Sequence, residues 1–201
     1  MRRLYSIALL GLAWCGAAIA GGADPAAANA RLFEALKAQD PETALYALGE
    51  GAAASAREID GTTPLHYAAH IGDARLIAAL LKAKADPNAR NEFGSLPLAE
   101  AATTGNAEAI RLLLKAGAEV EAANPEGQTA LMLAARAGKV DAARLLIKAG
   151  AKVNARERWA DQTALMWASA QGQPEMIRLL VQAGADVNAR LTQALGKYDP
   201  A

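Results

Sequence analysis

A repeat of 33 residues constrains this chain more than any other feature. Gly61, Gly94 and Gly127 lie 33 residues apart, and the strings after them share one pattern. They read Thr63-Pro64-Leu65-His66-Tyr67-Ala68-Ala69, Leu96-Pro97-Leu98-Ala99-Glu100-Ala101-Ala102 and Thr129-Ala130-Leu131-Met132-Leu133-Ala134-Ala135. A fourth copy, Thr163-Ala164-Leu165-Met166-Trp167-Ala168-Ser169, follows 34 residues on, with one residue inserted near Trp159-Ala160 and Asp161 in place of the turn glycine. The second half of each unit recurs as well: Leu80-Leu81-Lys82-Ala83-Lys84, Leu113-Leu114-Lys115-Ala116-Gly117, Leu146-Ile147-Lys148-Ala149-Gly150 and Leu180-Val181-Gln182-Ala183-Gly184. A period of this length points away from one closed core. Each unit is a small element that buries its apolar face only against its neighbours.

The residue types within a unit predict two helices. Thr63 and Thr129 suit a helix N-cap, and Pro64 and Pro97 the first helical position. Leu65, Ala68 and Ala69 share a helical face, where alanine lets helices approach closely. Gly72, Gly105, Gly138 and Gly172 end the first helix, and Gly117, Gly150 and Gly184 the second. Lys84 stands at that second position in the first clear unit, where a non-glycine residue costs about 1 kcal/mol. These strings resemble the ankyrin-repeat family, clearly over about residues 58–190 and weakly over 29–57. The resemblance implies an all-α solenoid of stacked helix-turn-helix units with projecting hairpin loops.

The expected layout is a signal peptide over 1–20, a flexible lead-in over 21–28 and an N-terminal capping repeat over 29–57. Repeats follow over 58–90, 91–123, 124–157 and 158–190, and a tail over 191–201. In the cap, Leu32, Phe33, Leu36, Leu45, Tyr46 and Leu48 keep helical spacing, and Asp40-Pro41 aligns with Asp73-Ala74. The tail holds no further unit. Met176, Ile177, Leu179, Leu180 and Val181 therefore await a cover: the tail folded back, more repeats of a longer array, or a partner.

Met1-Arg2-Arg3, the uncharged stretch Leu4 to Ala20 and the ending Ala18-Ile19-Ala20 read as an export signal cleaved after Ala20. A membrane anchor needs about 20 apolar residues; this stretch is shorter and rich in Gly and Ala. Trp14 before Cys15 departs from a lipoprotein signal, and Arg2-Arg3 serves as an ordinary cationic segment rather than a twin-arginine address. Cleavage removes Cys15, the one cysteine, and leaves acidic residues two ahead of basic ones. A thiol-free chain suits an oxidising compartment. The expected destination is the periplasm, with an extracellular one as the alternative.

Composition narrows the chemistry. Lysine plus arginine and aspartate plus glutamate both number 21, which argues against a polybasic nucleic-acid binder. Half of the 53% hydrophobic fraction is alanine and aromatics are 4%, which fits packed helices better than a large β core. His66 and His70 share a helix face, but two ligands without a third make no metal site. The resemblance implies that His66 hydrogen-bonds the turn. Acidic residues such as Asp73, Glu108, Asp141 and Glu175 sit where they meet a helix dipole. No nucleophile elbow or phosphate loop is present. Arg90, Arg156, Arg158 and Arg190 interleave with Glu92, Glu121, Glu126 and Glu157, as on solvated loop tips. No enzymatic activity, cofactor or metal is expected.

What remains is a surface. The resemblance implies a protein partner on the hairpin loops and the outward side of the first helix, taken by a monomer, with no nucleic acid and no membrane after cleavage. Carried over by position, that face includes Tyr67, Phe93, Glu100, Leu133, Arg136, Arg158, Trp159 and Trp167. Tyr67, Phe93, Leu133, Trp159 and Trp167 would form an apolar stripe, and aromatics and arginine are the usual binding anchors. For both tryptophans local packing is the alternative: Trp159 over the inserted residue, Trp167 beneath it. A structural subunit, or an accessory or inhibitor of an exported enzyme, is the alternative role.

Overall fold

The computed structural model describes residues 24–191. The expected export signal and all but the first residue of the tail lie outside them. Among the described residues ten helices follow one another in pairs: α1 (Pro25–Lys37), α2 (Pro41–Gly49), α3 (Pro64–Ile71), α4 (Ala74–Lys82), α5 (Pro97–Thr104), α6 (Ala107–Lys115), α7 (Ala130–Arg136), α8 (Val140–Lys148), α9 (Ala164–Ala170) and α10 (Pro174–Gln182). The odd-numbered helices stack on one another in one layer and the even-numbered helices in a second. Between pairs, four fingers project at residues 58–62, 91–95, 124–128 and 157–162, each closed by a backbone bond across its base. This is an all-α solenoid with projecting hairpin loops, as expected.

Polar caps start most of the helices. The Asp40 carboxylate accepts from the N–H groups of Glu42 and Thr43, Asp73 from Arg75 and Leu76, and Asn106 from Ala109. Each satisfies donors that the first helical turn leaves unpaired. The same chemistry corrects the expected lead-in. Asp24 accepts from Ala26 N–H and Pro25 takes the first helical position, so residues 25–28 are the first turn of α1. Ala28 is already buried.

Alanines bring the inner helices together. Ala68, Ala69, Ala101, Ala102, Ala134, Ala135 and Ala168 are fully buried between neighbouring units. The second layer supplies the bulk, with Leu76, Ile77, Leu80, Ile110, Leu113, Leu146 and Met176 inaccessible to solvent. Each contributes about 1.5–3 kcal/mol of transfer free energy. At two left-handed glycines the next unit comes too close for a side chain. A Cβ on Gly72 would lie 2.0 Å from Nδ2 of Asn106, whose amide donates to the Gly72 carbonyl. One on Gly94 would lie 2.3 Å from Cδ of Pro125 in the next finger.

Side chains also tie each unit to the next. Asn88 donates to the Gly117 carbonyl and accepts from Glu119 N–H, and Asn154 repeats this with Gly184 and Asp186. Arg57 binds the carbonyls of Gly61 and Arg90; Arg90 binds those of Gly94 and Ala123; Arg156 binds those of Asp161 and Arg190. Arg90 and Arg156 are therefore staples between fingers, not free charges at solvated tips. Arginine can do this because its planar fork presents several donors at once.

Candidate partner-binding surface

The candidate surface comprises the fingers and the exposed faces of the odd-numbered helices. Its most prominent feature is at the fingertips. Ile59 is 102% exposed, Phe93 69% and Trp159 74%, on the first, second and fourth fingers. The third finger carries Pro125-Glu126 instead. Large apolar groups are held in water by backbone bonds from finger to finger: Glu92 N–H donates to the Asp60 carbonyl, and Arg158 N–H to that of Glu126, both at 2.8 Å.

The fourth finger absorbs its inserted residue through a carboxylate. Glu157 is 5% exposed and accepts from the N–H groups of Trp159, Ala160 and Gln162 at 2.7, 2.7 and 3.0 Å. Burial pushes its pKa up, but the three N–H groups outweigh burial and hold it below the ordinary value. Asn91 and Asn124, at the same register, each hold only one such N–H, from Ser95 and Gln128. Glu157 had been taken for one of the interleaved loop charges. That register reads Glu58, Asn91, Asn124 and Glu157, and the signal is a carboxylate in place of the asparagine in the finger that carries the extra residue.

The expected stripe is not continuous. Phe93 and Trp159 are exposed at its edge, whereas Tyr67 and Leu133 are half-buried against the core. Trp167 is the correction: at 8% exposure it is a packed residue, with no open anchor face. Its indole N–H donates to Gln162 Oε1 at 2.6 Å, and the Arg136 guanidinium lies 5.0 Å over its ring. Trp167 therefore closes the base of the fourth finger, and Arg136 reaches the surface as the lid on that ring. Arg158 is exposed, with a bond to the Pro125 carbonyl.

At the other end the face is polar. Tyr67 donates to Glu58 Oε2 at 2.6 Å and meets Phe33 edge-on, with ring centroids 6.3 Å apart. Burial first, then the Glu58 carboxylate, push its phenol above the ordinary value. Lys37 holds the other Glu58 oxygen. Glu100 accepts from the Ser95 hydroxyl at 2.8 Å and lies 3.2 Å from His70 Nδ1. His66 is buried, and its Nδ1 receives both the N–H and the hydroxyl of Thr63, so Nε2 carries the proton and donates to the Ser95 carbonyl at 3.0 Å. Burial, the largest cause, holds its pKa below the ordinary value. His66 thus bonds its own turn, as the resemblance implied, and reaches the next unit as well.

Among the described residues, no three or more His, Cys, Asp or Glu are grouped to hold a metal. No helix there is long and apolar enough to cross a membrane. The family model described as "Ankyrin repeats (3 copies)" matches residues 32–124 and again 118–190. No curated protein matches the chain.

Proposed function

The chain belongs to the ankyrin-repeat family, whose repeats are generally protein–protein interaction modules, and we propose that it acts as a non-catalytic docking protein whose fingertips seat a partner. The observation that carries this reading is the exposure of Ile59, Phe93 and Trp159 on ordered fingers. Fingers already tied backbone to backbone need little loop ordering on binding, and aromatics are frequent anchors of interfaces. Arg158, beside Trp159, and Glu100, bonded to Ser95 at the base of the second finger, supply polar contacts.

The sequence of residues 1–20 supports export, with the periplasm as the destination and the mature chain beginning at Gly21. The test is affinity capture from a periplasmic extract with the mature protein as bait, beside a Phe93→Ala, Trp159→Ala double variant of native circular dichroism. A partner held by the first bait and lost from the second supports the reading. A partner held equally by both places binding elsewhere. N-terminal sequencing of the exported chain checks cleavage after Ala20; an intact Met1 in the cell interior overturns the export proposal.

One observation favours a second reading, a structural subunit. Val181 and Val187 are 43% and 64% exposed, whereas Ile147 and Val153, one unit earlier, pack against the core. A binding loss on changing Val181 and Val187 to serine, with fingertip variants silent, would favour it.

A further inference from the structure

Between the first two fingers lies a cavity of about 260 Å³ walled by Thr62, His66, Tyr67, His70, Asn91 and Glu100. A neighbouring hollow of about 230 Å³ is walled by Glu58, Ile59, Asp60 and Glu92. We propose that the first cavity receives an arginine side chain of the protein partner, with its guanidinium on Glu100 and its flanking residues on Ile59 and Phe93. The inference rests on the protein-binding reading and names the chemistry of one contact within it.

The polar groups of the wall decide the sign of the guest. Glu100 has one protein donor on each oxygen, and a carboxylate offers about four acceptor sites, so room for a forked donor remains. His66 has no lone pair to spare: Nδ1 is taken by Thr63, and Nε2 donates to Ser95. Asn91 is engaged by Thr62 and Ser95. Glu100 is thus the carboxylate in the wall that a ligand donor can reach.

The surroundings are acidic. Asp60 and Glu92 line the neighbouring hollow, and Glu58 there holds the Tyr67 hydroxyl. The cations close by are committed: Arg57 to the carbonyls of Gly61 and Arg90, and Lys37 to Glu58. An anionic guest would face four carboxylates. A metal ion would find His70 and Glu100 but no third ligand. A guanidinium meets a carboxylate and the flat ring of Tyr67, and its fork suits both better than a lysine ammonium does. Ile59, in the wall of the neighbouring hollow, and Phe93, exposed on the next finger, are then the apolar groups offered to the residues that precede and follow the arginine.

The test is an amide NMR titration of the purified protein with acetyl-Leu-Arg-Leu-amide, beside the same peptide carrying Gln or Lys in the centre. The expected result is saturable shifts at Thr62 and Ser95 N–H with the Arg peptide, and none with the Gln peptide. Glu100→Gln weakens binding by about fivefold, as does raising the salt concentration. Should Glu100→Gln disturb the fold, Glu92→Gln in the neighbouring hollow gives a smaller loss in the same direction. Equal shifts with the Gln peptide, no saturable shift with any peptide, or a Glu100→Gln variant that binds the Arg peptide unchanged overturns the proposal. Equal affinity for the Lys peptide overturns the guanidinium assignment. Capture of a partner that depends on Phe93 and Trp159 but not on Glu100 leaves the fingertip reading standing and the cavity rejected; the reverse pattern rejects the fingertips.

Discussion

The first and fourth repeats solve the same local problem with different chemistry. In each, an inner helix must be locked to the finger that precedes it. In the first, α3 is held by polar groups: His66 bonds Thr63 and the Ser95 carbonyl, and Tyr67 bonds Glu58. In the fourth, α9 is held by a packed indole, with Trp167 bonded to Gln162 beneath Arg136, and a buried carboxylate, Glu157, gathers the longer finger. The helices therefore repeat because the stack demands it, while the finger bases vary because only their own loop must be satisfied. A cavity at the polar end and a buried indole at the aromatic end follow from that difference.

The largest test removes the indole. Trp167→Ala should cost about 3–5 kcal/mol, the range for emptying a buried aromatic site. Because each repeat contacts only its neighbours, the loss should fall on the fourth repeat first. Hydrogen exchange should show α9 and α10 losing protection while α3 and α5 keep theirs. Uniform loss along the array would show that the two ends are more tightly coupled than the comparison supposes. Tyr67→Phe, which keeps the ring and drops the bond to Glu58, should cost far less, about 1 kcal/mol.

Acid separates the two ends by window. His66 has its pKa lowered from 6.5 in the fold, so the unfolded chain binds its proton more readily. Its contribution to stability is complete above 6.5 and falls as pH drops from there through the folded value. Glu157 is lowered from 4.5, so its contribution is complete above that value and is lost only as pH falls below it. Urea midpoints followed through α3 and α9 should therefore part company between the two windows, with the first repeat weakening first. His66→Gln should flatten the upper window, and Glu157→Gln the lower. Coincident profiles would remove the distinction between a polar and a packed lock.

How much of this the amino-acid sequence discloses depends on what each residue answers to. The helices, their caps and the alanine faces were legible because every unit faces the same neighbour, so the same residue recurs at the same register. The role of His66 was legible for the same reason. Trp167 was misjudged because Tyr67, Glu100 and Leu133 at its register are half-buried, and nothing in the period announces that Gln162 and Arg136 enclose the indole. The helical start of α1 was missed although Asp24-Pro25 carried the cap signal. The arginine staples also had a signal: Arg57, Arg90 and Arg156 share one register, broken only by Ala123. It went unread because surface arginines usually answer to solvent, and only coordinates show carbonyls waiting one unit away.

The finest test compares two left-handed positions that lack glycine. Lys84 has φ 63° at the end of α4, where the later repeats have Gly117, Gly150 and Gly184. Asp161 has φ 59° in the fourth finger, where the earlier ones have Gly61, Gly94 and Gly127. Both bear the crowding of a Cβ in that conformation, about 1 kcal/mol. Glycine relieves it but gains more freedom in the unfolded chain, so the net benefit is about 0.5 kcal/mol where nothing else changes. Lys84→Gly should show that gain as a small rise in the urea midpoint. Asp161→Gly should not, because the Asp161 carboxylate holds Arg156 at 3.0 Å, and Arg156 staples the finger to the Arg190 carbonyl. Loss of that contact should cancel the relief or outweigh it. Equal gains from both substitutions would mean that the Arg156 staple adds nothing to the fourth finger, and that Glu157 and Trp167 suffice to hold it.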